Sequence, residues 1–126
     1  MFKDIGINYI TLCHNGSNDI CDSAKGEAEH DGLSPFGREV VKEMNRLGIV
    51  IDISHASEKT VQDVLELSNA PIIASHSSAR ALCDHPRNLT DQQIQAIAAK
   101  GGVVQVCLYN WFLSKQPNPT ILDAVA

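Results

Sequence analysis

Short apolar runs alternate with amphipathic stretches along this chain. Four of the runs are rich in β-branched residues and predict strands. They cover residues 7–12, 49–54, 71–75 and 103–108. Between them lie three stretches that begin at Ser34, Ser57 and Thr90, where apolar residues recur at helical spacing after a residue that commonly caps helices. The chain therefore alternates predicted strands with predicted helices.

The order of these elements predicts the fold class. A strand, a loop and then three helix–strand units imply an α/β protein with a parallel sheet and right-handed crossovers. Four strands and three helices amount to about half of a (β/α)8 TIM-type barrel, a fold that typically needs about 250 residues. A small open sheet with helices on both faces is the alternative. Residues 15–32 are rich in polar and small side chains and are predicted to form a long exposed loop.

Composition and charge exclude several classes of function. The 126 residues are 44% hydrophobic and 20% charged, which is typical of one globular domain. A formal net charge of -5, without a cluster of Lys and Arg, argues against a nucleic-acid partner. No apolar stretch approaches the roughly 20 residues of a membrane-spanning helix. The first residues have no signal-peptide pattern and the four cysteines have no CxxC spacing, so we predict reduced thiols and a cytoplasmic location.

Polar side chains at the strand ends are the candidates for chemistry. His14, His55 and His76 each follow one of the first three strands, and Tyr109 follows the fourth. Parallel β/α folds place active sites at this edge of the sheet. Two imidazoles aimed at one point form half of a zinc site, and no second half is evident. A serine hydrolase is disfavoured because the sequence has no G-x-S-x-G elbow.

Two further charged residues lie near these histidines in sequence. Asp52 either orients a ligand histidine by accepting a hydrogen bond or is a buried carboxylate bonded to backbone amides, and the sequence leaves both roles open. Arg87 follows the third strand on the carboxyl-end side of the sheet. Its guanidinium suits a substrate carboxylate held by two hydrogen bonds, and an exposed loop arginine is the alternative.

Seven collinear segments between about residue 5 and residue 113 carry a family resemblance. They are YITLCH from Tyr9, GLSPFG from Gly32, MNRLG from Met44, DISH from Asp52, SHSSA from Ser75, RNL from Arg87 and YN from Tyr109. In these motifs the chain resembles the membrane (renal) dipeptidase family of zinc peptidases. The resemblance implies a (β/α)8 barrel with a two-zinc site at its carboxyl-end face. It also implies zinc-dependent hydrolysis of dipeptides by water that the metal activates.

The resemblance also implies a role for each candidate residue. His55 and His76 correspond to the two histidines that hold one zinc ion. His14 corresponds to the histidine that contacts the substrate and helps to stabilise the tetrahedral intermediate. Arg87 corresponds to the arginine that binds the terminal carboxylate of the substrate, and Tyr109 is counted with the substrate-binding residues.

Parts of the family pattern are not found in this sequence. The family's His-x-Asp pair, its bridging glutamate and its later strand end with Asp have no counterpart here. Residues 1–126 are therefore predicted to form one partial metallo-dipeptidase barrel domain, with at most one partial zinc site and weak or no activity alone. The alternative is a catalytically inactive α/β fragment or binding module. Open edges at the first and fourth strands predict a homodimer in either case.

Overall fold

The computed structural model describes residues 2–125. It contains four short strands: β1 (Tyr9–Thr11), β2 (Val50–Asp52), β3 (Ile72–Ala74) and β4 (Val103–Val104). The helices in these residues are α1 (Pro35–Leu47), α2 (Glu58–Leu67), α3 (Asp91–Ala99), α4 (Asn110–Leu113) and α5 (Ile121–Val125).

The strands form one parallel sheet in the order β1-β2-β3-β4. Strands that follow one another in sequence are therefore neighbours in the sheet, and the order never reverses. A doubly wound open sheet reverses its strand order at a switch point, whereas a barrel does not. Helix α2 contacts α1 and α3, so the three helices lie side by side. The fold is the predicted α/β class, with parallel β/α repeats that make up about half of a (β/α)8 barrel.

Local sequence signals position the three long helices. The side chain of Ser34 caps the start of α1, and Gly48 ends that helix in the left-handed conformation, with φ 66°. The side chain of Ser57 caps α2. Thr90 and Gln93 form the reciprocal hydrogen bonds of a capping box at the start of α3. The predicted starts of all three helices are confirmed.

The core lies between the sheet and these helices. Its fully buried side chains come from both layers and include Val41, Ile51, Val64, Ile72 and Ile97. At the two edge strands, by contrast, Tyr9 and Val103 are 54% and 55% exposed. Within residues 2–125, none of the helices has the length and apolar character needed to cross a membrane. The homodimer expected from the edge strands stays a prediction.

Two details of the predicted elements change. The strands are shorter than the apolar runs and cover two or three residues each, although backbone hydrogen bonds such as that from Ile53 N–H to the Ile73 carbonyl continue past their ends. Residues 109–125 add the two short helices α4 and α5, which are too short to produce a periodic apolar pattern.

The loop over residues 15–32 is not uniformly exposed, contrary to the prediction from its polar composition. Cys21, Asp22 and Ser23 are buried. The Asp22 carboxylate accepts hydrogen bonds from the backbone N–H groups of Glu29, His30 and Gly32. These bonds outweigh the effect of burial and keep the pKa of Asp22 below its usual value. A polar residue here stabilises the loop from inside.

Candidate active site

Three histidine side chains meet at the carboxyl edge of the sheet. The rings of His14 and His55 are stacked, with centroids 4.1 Å apart. His76 meets His55 edge-on, and the two Nε2 atoms are 2.9 Å apart. The strand-end pattern therefore brought the predicted residues to one point. Their roles as metal or substrate ligands stay predictions.

His55 has an unusual backbone conformation. Its φ is 73°, in the left-handed region that non-glycine residues occupy at a cost of roughly 1–2 kcal/mol. Its carbonyl oxygen accepts hydrogen bonds from the backbone N–H of Ala24 at 2.8 Å and from Ser23 Oγ at 3.2 Å. Backbone strain of this kind concentrates at functional sites. Nothing in the sequence around His55 signalled this conformation.

The surroundings keep the imidazoles of His55 and His76 neutral. Burial lowers the pKa of His55 to about 4, and the charge of Arg87 adds to the effect. Burial, followed by the charge of Arg87, also lowers the pKa of His76. Both rings are therefore uncharged at neutral pH, which is the protonation state that binds metals. The Nδ1 atom of His55 is buried and has no hydrogen-bond partner among the described residues.

The His55–His76 pair fits two ligand positions of a zinc site. Zinc–nitrogen bonds of about 2.0–2.1 Å at tetrahedral angles separate two ligand nitrogens by roughly 3.3 Å. The observed 2.9 Å between the Nε2 atoms is within a few tenths of an ångström of that separation. Residues 2–125 contain no group of three or more His, Cys, Asp or Glu side chains that is placed to hold a metal ion. The described residues therefore supply two ligand atoms rather than a complete site.

Asp52 lies beneath the histidines and is fully buried. Its Oδ1 accepts hydrogen bonds from the backbone N–H groups of Ser54 and Ser75, both at 3.0 Å. Its Oδ2 accepts from the hydroxyls of Thr11 at 2.7 Å and Ser75 at 2.5 Å. Burial alone would raise the pKa of Asp52, but these four donors hold it below its usual value. Asp52 is therefore the buried carboxylate bonded to backbone amides, one of the two roles that the sequence left open. Ser75 Oγ is also 2.7 Å from His76 Nδ1, so Asp52 reaches a histidine through this hydroxyl, and its role toward a metal ligand stays a prediction.

Arg87 is buried rather than exposed, with a relative accessibility of 4%. Its Nη2 lies 3.5 Å from the carbonyl oxygen of His76, and its guanidinium stacks over the Phe112 ring at 5.3 Å. No carboxylate among the described residues forms an ion pair with it. Burial accordingly lowers the pKa of Arg87. A buried guanidinium without an anionic partner is suited to bind an incoming carboxylate.

The ring of Tyr109 contacts Phe112, which lies beneath Arg87. Its exposed side chain packs edge-on against Phe112, with ring centroids 5.0 Å apart. Phe112 in turn lies under Arg87, so Tyr109 is linked to the arginine rather than to the imidazoles. Phe112 and Asn88 were missed by sequence reasoning. The buried Nδ2 of Asn88 donates to the carbonyls of Cys83 and Phe112 and joins α4 to the Arg87 loop.

Comparison with known sequences finds one matching family and relatives that are dipeptidases. The sequence model of one family, described as membrane dipeptidase (peptidase family M19), matches residues 1–126. An uncharacterized dipeptidase of Schizosaccharomyces pombe is 43% identical over 125 residues, and dipeptidase tcpJ of Claviceps purpurea is 42% identical over 126 residues. These matches cover 98% and 99% of this chain but 31% and 30% of the relatives. The chain thus spans less than a third of the length of these relatives.

Solved structures share the fold. The probable dipeptidase PvdM from Pseudomonas aeruginosa is 39% identical with a TM-score of 0.86, over 90% of this chain and 30% of that one. A metallo peptidase from Rhodobacter sphaeroides, liganded with a phosphinate mimic of the dipeptide L-Ala-D-Ala, is 29% identical with a TM-score of 0.87. That match covers 98% of this chain and 39% of the other.

Proposed function

The chain belongs to the membrane dipeptidase family, and we propose that it carries two zinc ligands and the carboxylate-binding arginine of an enzyme that hydrolyses dipeptides. The observation that carries this proposal is the pair of neutral imidazoles whose Nε2 atoms lie 2.9 Å apart. At this distance the two nitrogens share one N–H···N hydrogen bond, and a change of a few tenths of an ångström lets both of them bind one metal ion.

In this proposal the three histidines have different roles. His55 and His76 hold one zinc ion, and the remaining ligands come from parts of a longer protein, as the greater length of the relatives suggests. A bound zinc ion supplies a water molecule of lowered pKa and polarises the scissile carbonyl. We assign to His14, whose exposed ring is stacked on His55, the hydrogen bond to the developing oxyanion.

Arg87 positions the substrate. Its buried guanidinium binds the terminal carboxylate of the dipeptide and lies over the Phe112 ring, 5.3 Å from the ring centroid. Tyr109 borders the same subsite through its contact with Phe112. A dipeptide then has its carboxylate at Arg87 and its amide bond near the two imidazoles. This arrangement gives a role both to the charged guanidinium of Arg87 and to the neutral imidazoles of His55 and His76.

One observation favours a second candidate function. Because residues 2–125 hold only a pair of candidate ligands, a catalytically inactive α/β binding module is the alternative. Such a module has the same histidine cluster but does not retain zinc at stoichiometric amounts.

Zinc titration of the chain by calorimetry tests the proposal. We expect one zinc ion per chain for the wild type and loss of binding for His55→Asn, because asparagine tolerates the positive φ at this position but removes the imidazole. His30→Asn is the matched control, since His30 lies in the loop and contacts the carbonyl oxygen of Asn18 instead. Unchanged stoichiometry in His55→Asn would overturn the assignment. Dipeptide hydrolysis measured on the same samples separates an active chain from a zinc-binding one that needs further ligands.

A further inference from the structure

A half-buried serine hydroxyl connects the Asp52 carboxylate to the His76 ring. Ser75 Oγ lies 2.5 Å from Asp52 Oδ2 and 2.7 Å from His76 Nδ1. The connection crosses two strands, because Asp52 ends β2 and Ser75 follows β3 directly. Ser75 therefore contacts a carboxylate on the neighbouring strand and an imidazole on its own strand.

The donors around Asp52 fix the direction of these hydrogen bonds. Four groups converge on the carboxylate, and two of them are backbone N–H groups that can only donate. An ionised carboxylate has no proton to give, so the single hydroxyl proton of Ser75 is donated to Asp52. Ser75 Oγ then has only lone pairs left for His76. The Nδ1 atom of His76 must carry a proton in order to make its 2.7 Å contact.

We propose that Asp52, acting through Ser75, is a positioning residue that holds His76 in its Nδ1–H tautomer. In this tautomer the Nε2 atom keeps a free lone pair, and it points toward His55 Nε2 at 2.9 Å. The inference rests on the proposed function, since the free lone pair is the one that would bind zinc. It predicts that the metal-free chain already has the correct tautomer at His76.

The Asp52→Asn variant reverses the chain of hydrogen bonds with little change in shape. The backbone N–H groups of Ser54 and Ser75 keep the amide oxygen of the new side chain facing them. Its NH₂ group then faces Ser75 Oγ and donates to it. The Ser75 hydroxyl consequently donates to His76 Nδ1, which forces the proton of the imidazole onto Nε2 and blocks the metal-binding lone pair.

Two-bond ¹H–¹⁵N correlation spectra of the zinc-free chain at about pH 8, above the ordinary histidine pKa, measure this directly. Such spectra distinguish protonated from unprotonated ring nitrogens, and His76→Asn assigns the His76 signals. We expect the Nδ1–H tautomer for His76 in the wild type and the Nε2–H tautomer in Asp52→Asn. Thr11→Val is the matched control, because it removes another hydrogen bond to Asp52 Oδ2 and leaves Ser75 in place. It should keep the wild-type tautomer.

Zinc calorimetry on the same variants supplies the second readout. Loss of the supporting hydrogen bond should weaken zinc binding about 10- to 100-fold in Asp52→Asn and in Ser75→Ala, but not in Thr11→Val. An Nε2–H tautomer for His76 in the wild type would overturn the inference without the need for any variant. If the wild type has the Nδ1–H tautomer but takes up no zinc, the inference about Asp52, Ser75 and His76 stands and the proposed function fails. If zinc binds to a wild type in which His76 has a mixture of both tautomers, the inference about Asp52, Ser75 and His76 fails and the proposed function stands.

Discussion

Acidification of the metal-free chain should reduce its stability well before its carboxylates titrate, and His55 should be the main cause. The pKa of His55 is about 4 in the folded chain and 6.5 in its unperturbed state. As the pH falls below about 6.5, the unfolded chain binds a proton at this position and the folded chain does not. Stability from this group is therefore complete above pH 6.5 and is lost progressively as the pH falls toward 4.

These two pKa values give the size of the effect. The linkage relation predicts that the free energy of unfolding falls by about 0.7 kcal/mol at pH 6 and by about 2 kcal/mol at pH 5, relative to pH 7. The pKa values of His76 and His85 are also lowered, so these residues add a loss of the same sign. The lowered pKa of Asp52 acts only below about pH 4, outside this window.

Urea unfolding at several pH values, with a chelator present, measures the predicted loss. His55→Asn is the appropriate comparison, because asparagine does not titrate and is tolerated at a φ of 73°. The contribution of His85 remains in both proteins and cancels in the difference, whereas His76 contacts His55, so the difference reports His55 together with its coupling to His76. We expect the wild type to lose about 2 kcal/mol more than the variant between neutral pH and about pH 5. Equal pH dependence of the two proteins would refute the reasoning about His55.

Two further predictions concern packing and the carboxylate subsite. Gly37→Ala should destabilise the chain by about 1–3 kcal/mol in urea unfolding, because the new Cβ would lie 1.9 Å from the Ile20 carbonyl oxygen. The control is Gly16→Ala, whose Cβ meets nothing within 4 Å and which should change the free energy of unfolding by less than about 0.5 kcal/mol. Equal stability of the two variants would contradict the packing of α1 against the loop. In an active enzyme that contains this chain, Arg87→Met should raise KM for dipeptides about 10- to 100-fold with little change in kcat. Dipeptide amides, which lack the carboxylate, should show no such change, and an equal change for both substrates would argue against the subsite.

The parts of this fold that the sequence predicts well are those set by local chemistry. Ser34, Ser57 and Thr90 mark helix starts because a capping side chain bonds to the N–H group three residues later. The histidines were found because they follow apolar runs, and parallel strands bring such positions to one edge. The burial of Arg87 was not predictable, since it depends on Phe112 and on a helix of four residues.

The hydrogen-bond network of the site depends on strand register, which no local pattern specifies. A Ser-His pair follows both β2 and β3, Ser54-His55 and Ser75-His76, so the sequence contains no reason to treat the two histidines differently. The register pairs Asp52 with Ile73, which places the carboxylate beside Ser75 on the next strand.

The two imidazoles are therefore supported unequally. Asp52 precedes His55 by three residues, but its bridging hydrogen bond reaches His76, while the Nδ1 atom of His55 has no partner among residues 2–125. Proximity in sequence would assign Asp52 to His55, and the structure connects it through Ser75 to His76, which follows the neighbouring strand. With the proposed Nδ1–H tautomer of His76, the Nε2 lone pair of His76 accepts a hydrogen bond from His55 Nε2–H, which also sets the tautomer of His55. Substitution of Asp52 in β2 should consequently change the tautomer of His76, which follows β3, rather than act directly on His55.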